Sequence, residues 1–153
     1  MATAKWPSPG LRNVGSYQVS GHPFVTGSDN LDNNKVHMVN FPYVCKSFTV
    51  INTNSTSGED IRIHFMSGSA VTTISIPGDT GAQTIADTSD VIANFHYVTV
   101  PAGNSALTMN VKCKRFFISN GSGTNNLKYQ VFAELTNVAT GSMYKLTGSG
   151  ITE

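Results

Sequence analysis

Two stretches decide the fold class: Asp60–Met66, DIRIHFM, and Leu127–Leu135, LKYQVFAEL. In the first, Ile61, Ile63 and Phe65 alternate with Arg62 and His64. In the second, Leu127, Tyr129, Val131, Ala133 and Leu135 alternate with Lys128, Gln130 and Glu134. Successive side chains of a strand point to opposite faces, so each stretch sets an apolar row against a polar one. Outward from these, strand-like runs recur at Ser16–Val19, Lys35–Asn40, Cys45–Asn52, Val71–Ile76, His96–Val100, Leu107–Ser119 and Ser142–Leu146.

Turn clusters separate the runs: NTNSTSG (Asn52–Gly58), PGDTG (Pro77–Gly81), PAGNS (Pro101–Ser105) and NGSGTNN (Asn120–Asn126). Gly, Asn, Asp, Pro and Ser tolerate turn backbones for separate physical reasons, and each cluster combines several of them. Short strands spaced by such turns predict an all-β chain, an antiparallel β-sandwich of jelly-roll-like type. The one helix-like segment is Ala82–Ala93, weakened by Thr84, Thr88, Ser89 and Val91. Along Leu107–Ser119 the alternation slips. Leu107, Met109, Val111 and Cys113 share one parity, Phe116 and Ile118 the other. A β-bulge or break near Lys114 or Arg115 would restore the faces.

The first residues read differently. Met1–Gly10, MATAKWPSPG, lacks periodicity, and Ser28–Asn34, SDNLDNN, is polar. Residues 1–34 are therefore expected to form an extended N-terminal arm, or a first strand pair, attached to a β-sandwich domain over 35–153.

The chain of 153 residues is long enough to bury a core without metals or disulfides. Its charged fraction is 12%, while Ser, Thr and Asn number 16, 17 and 14. A surface so poor in charge suits an extracellular particle, or a protein whose faces are covered by neighbours. The net charge of +1 is spread along the chain, and its densest basic run is Lys112, Lys114 and Arg115. That is too little for phosphate-backbone recognition, so no nucleic-acid partner is expected. No stretch reaches the ~20 apolar residues of a membrane span, and Met1–Gly10 has no apolar leader core. Synthesis in a cytoplasm without signal-directed export is the expectation.

Cys45 and Cys113 both fall in apolar strand-like runs. They read as buried free thiols, with a single bridge across a sandwich as the alternative. Asp29, Asp32, Glu59, Asp79, Asp87 and Asp90 all sit in turns or loops, where carboxylates serve local hydrogen bonding. His22, His37, His64 and His96 show no metal-ligand spacing and read as surface or interface residues. No nucleophile with a positioned base is visible, so neither an enzyme nor a cofactor is expected. Asn54-Ser55-Thr56 and Asn120-Gly121-Ser122 are glycosylation sequons that carry no meaning without secretion.

Aromatic residues are mostly core. Phe132 lies on the polar parity of its strand, and Tyr97 opposes His96 and Val98. Trp6, Tyr17 and Phe24 lie in the arm. These five, Trp6, Tyr17, Phe24, Tyr97 and Phe132, are the expected interface residues, since exposed rings on strands or arms anchor subunit contacts.

Three segments carry a family resemblance: GLRNVGSYQVSGHPFVTGS (Gly10–Ser28), NVKCKRFFISN (Asn110–Asn120) and YQVFAELTNVATGSMYKLTGSGITE (Tyr129–Glu153). Together they resemble small structural proteins of marine tailed phages, cyanophages especially. The resemblance implies a virion component released by lysis, in contact with other virion proteins such as a major capsid protein. Joined to the residue-level reading, it leads to the expectation of a homo-oligomeric decoration or cement protein of the capsid. The alternatives are a tail, neck or baseplate component, and a carbohydrate-binding β-sandwich for host adsorption with a glycan as ligand.

Overall fold

A computed structural model of the chain describes residues 10–11, 14, 21–33, 36–65, 96–123, 126–147 and 150–152. Its strands, in chain order, are β1 (His22–Leu31), β2 (Val36–Asn52), β3 (Ile61–His64), β4 (Val98–Val100), β5 (Ala106–Met109), β6 (Cys113–Asn120), β7 (Leu127–Ala139), β8 (Lys145–Thr147) and β9 (Gly150–Thr152). The protein is all-β and antiparallel. Among the described residues seven strands form one sheet in the order β1-β7-β2-β6-β3-β4, with β5 also paired to β2. The last two strands form a separate hairpin, Lys145 opposite Thr152. The expected runs Ser16–Val19 and Val71–Ile76 and the helix-like Ala82–Ala93 lie outside the described residues.

β2 organises the molecule. The two runs Lys35–Asn40 and Cys45–Asn52 join into one strand of 17 residues. Its first half pairs with β6, from Val36 opposite Ser119 to Asn40 opposite Arg115. Its second half lies between β7 and β5: Thr49 faces Phe132 on one side and Thr108 on the other. The join carries register slips between Asn40 and Cys45 against β6 and between Tyr43 and Ser47 against β7. Pro42 sits within it, where an imide nitrogen removes no regular ladder bond. A strand that changes partners at such irregularities turns a sheet corner.

The two halves of the sheet therefore face each other. Phe48, from the second half of β2, stacks on Phe116 of β6 with ring centroids 4.2 Å apart and planes within 7°. Phe41 packs beside both rings. Around them Leu31, Val39, Val50, Ile61, Ile63, Ile118, Leu127, Tyr129 and Val131 are essentially fully buried. Each large apolar side chain so buried contributes ~1.5–3 kcal/mol. The alternating rows of β3 and β7 are the inner faces of this sandwich-like core, as their period of two requires.

The slip expected near Lys114 and Arg115 is present. β5 ends at Met109, β6 begins at Cys113, and the pairing to β2 shifts between Cys113 and Arg115. Turn chemistry also follows composition: Gly103 and Asn104 take φ of 93° and 57° between β4 and β5, a region that favours these residues.

Over residues 22–31 the segment expected as an arm is an edge strand of the chain's own sheet. His22 to Ser28 pair with Leu135 to Tyr129 of β7. Leu31 is fully buried, and the rings of Phe24 and Phe41 meet edge to face at 5.2 Å. Gly27 permits the close approach, because a Cβ there would lie 2.7 Å from the Tyr129 carbonyl oxygen. Burial of Phe24 and Leu31 against the core is the physical reason this part of the chain folds back.

Candidate interaction surface

The outer face of the half-sheet β1-β7-β2-β5 collects the residues opposite in parity to the core. Its central row runs Val25, Phe132, Thr49, Thr108 across four strands. Val25 is 73% exposed and Phe132 43%, side by side in direct register. Thr49 and Thr108 hydrogen-bond through their hydroxyls at 2.8 Å. The next row holds Gly27, Gln130, Ile51 and Ala106.

Charge on this face is sparse and partly internally matched. The register slip at Lys46 lets both Lys46 and Ser47 reach Glu134. Lys46 Nζ lies 3.2 Å from Glu134 Oε2, and the Ser47 hydroxyl donates to the same oxygen at 3.2 Å. The lysine beside it holds the Glu134 carboxyl below its ordinary range. Beyond that pair the face presents Lys128 at its rim. The result is a sheet face with an apolar centre and a polar border, the anatomy of a protein contact.

The three expected interface residues that lie among the described residues, Phe24, Tyr97 and Phe132, do not converge. Phe132 is where its parity places it, exposed on this face. Phe24 points inward to the core. Tyr97 lies in front of β4 on the other half-sheet, with the Arg62 guanidinium 5.0 Å above its ring. Trp6 and Tyr17 lie outside the described residues. Val25 is the residue sequence reading missed. Its signal was available only through its register with Phe132, which no local pattern reveals.

Several polar residues have structural duties. His37 and His64, read as surface or interface residues, are buried instead, His64 stacking on Phe117. His37 has apolar neighbours on both faces of its strand, so its parity was ambiguous, whereas His64 shares the polar parity of Arg62 and is covered by Phe117. Asn54 and Asn120, the sequon asparagines, are also buried. Asn54 donates to Asn52 Oδ1 and the Lys128 carbonyl and accepts from the Lys128 amide. Asn120 donates to the Leu31 carbonyl and accepts from Ser122. Asp60 accepts from the Ala102 amide, as a turn carboxylate does.

A small cleft of about 250 Å³ opens at the β2 corner, lined by Asn40, Phe41, Lys114, Arg115 and Thr140. Consecutive strand residues ordinarily face opposite ways, and the register slip brings both cations to one wall. Among the described residues no group of three or more His, Cys, Asp and Glu side chains is placed to hold a metal.

No family model, no curated protein and no solved structure matches this chain.

Proposed function

We propose that this protein is a structural component of a phage virion, a decoration or cement protein that acts through subunit contacts as a homo-oligomer. The observation that carries the reading is the Val25–Phe132 pair, two large apolar side chains exposed at the centre of a nearly uncharged sheet face. A protein that works alone in solution gains nothing from such a centre, whereas a neighbouring subunit that covers it gains hydrophobic contact. The low charge of the whole chain and the resemblance of its ends to phage structural proteins support the same reading.

The test is assembly of the full chain. Sedimentation and co-sedimentation with phage particles should show oligomers or particle binding for the wild type. Phe132→Asp and Val25→Asp should keep the β circular-dichroism signature and lose that association. A wild-type chain that stays monomeric and leaves particles undecorated overturns the reading. Specific binding on a glycan array, unaffected by Phe132→Asp, would move the function to host adsorption.

A further inference from the structure

Cys45 and Cys113 are direct partners across the β2–β6 pairing, although 68 residues apart in sequence. Both are fully buried free thiols, and their sulfurs lie 3.3 Å apart. Opposed residues of an antiparallel pair have Cα atoms about 4.5–5.5 Å apart, inside the window a disulfide accepts. The sulfurs need to approach by only about 1.3 Å to reach bonding distance, a small side-chain rotation. We infer that these two thiols close reversibly into an intramolecular disulfide on mild oxidation, stapling β2 to β6 at the sheet corner.

The position gives the staple a purpose. Between Asn40 and Cys45 the β2–β6 register is irregular, and regular pairing runs over Val36–Asn40. A covalent link at Cys45–Cys113 would hold the seam where the ladder is interrupted. It would also close a long loop in the unfolded chain and so reduce that chain's entropy. The thiols are chemically differentiated. The hydrogen bond from Cys113 lowers Cys45, while Cys113 is raised by the same contact and by burial. Of the two, Cys45 is the thiol that more readily gives up its proton. The thiolate is the attacking species in oxidation.

With hydrogen peroxide as oxidant, the Cys45 thiolate attacks one peroxide oxygen. An S–O bond forms and the O–O bond breaks. The departing hydroxide collects the proton Cys45 gave up and leaves as water. The Cys113 sulfur then attacks the Cys45 sulfur. The S–S bond forms, the S–O bond breaks, and the oxygen leaves as a second water with the Cys113 proton. Two thiols are oxidised and one peroxide is reduced to two waters. Because both sulfurs are buried, peroxide reaches them during local openings, and closure is slow. The chemistry needs the two thiols alone and no assembly.

The experiment starts from full-length chain reduced with dithiothreitol and freed of it. Thiol titration in denaturant should find two groups per chain. After one equivalent of hydrogen peroxide under native conditions it should find none. The intact mass should fall by two hydrogens with the chain still monomeric on a non-reducing gel. The melting midpoint should rise by about 5 °C or more and return with dithiothreitol. Cys45→Ala and Cys113→Ala should each keep one thiol and show no rise. Unchanged thiols after prolonged treatment, oxygen added to the mass, or cross-linked dimers would each overturn the inference. The wild-type mass and thiol count decide it even where an alanine variant fails to fold.

Discussion

His37 Nδ1 and the Tyr129 hydroxyl are joined by a buried hydrogen bond of 2.7 Å that bridges the two halves of the folded sheet. His37 belongs to the part of β2 paired with β6, Tyr129 to β7 in the opposite half. Their rings also meet edge to face at 5.6 Å. Tyr129→Phe keeps the ring packing and removes the hydroxyl. It should cost about 1–3 kcal/mol, the usual penalty for taking one partner from a buried hydrogen bond. Urea denaturation should show a lower midpoint with an unchanged slope.

Burial pushes the Tyr129 phenol above its ordinary value of 10.0. The folded chain therefore holds this proton more tightly than the unfolded one. Its contribution to stability is complete below about pH 10 and is lost as pH rises from there toward the folded value, by at most about 1.4 kcal/mol per pH unit. Wild-type stability should fall more steeply above pH 10 than that of Tyr129→Phe. Parallel alkaline profiles for the two proteins would contradict this.

The Phe48–Phe116 stack fastens one half-sheet to the other at the centre of the core. Either ring replaced by alanine should cost about 3–5 kcal/mol, because the rigid surroundings leave a cavity. The double variant should cost less than the sum, since the two side chains share the lost contact. Equilibrium unfolding of the two single variants and the double variant measures this coupling.

Asn52 is a fully buried amide that ties the β2–β3 loop to the end of β4. Its nitrogen donates to the carbonyls of Glu59 and Val100, and its oxygen accepts from the amide and side chain of Asn54. Asn52→Ala strands all of these partners and should cost at least about 2 kcal/mol. Hydrogen exchange should accelerate at Gly103, whose amide donates to the Asn54 carbonyl, before it does so in β7. Uniform acceleration across the molecule would show that Asn52 does not act locally.

The alternation in DIRIHFM and LKYQVFAEL fixed the strands and their buried faces, and the parity slip between Cys113 and Phe116 located the irregularity at β6. These are local consequences of a backbone with a two-residue period, so local sequence carries them. The exposure of Phe132 was legible in the same way. Which strands are neighbours was not. Val25 meets Phe132, His37 meets Tyr129 and Cys45 meets Cys113 across long sequence separations. Each meeting depends on β2 bending at its middle and on β1 closing back along β7. That register is selected by the burial of Phe24, Phe48 and Phe116 together, and no one segment contains the information. Tertiary packing likewise made core members of His37, His64, Asn54 and Asn120, because only the folded sheet supplies partners that let polar groups leave water.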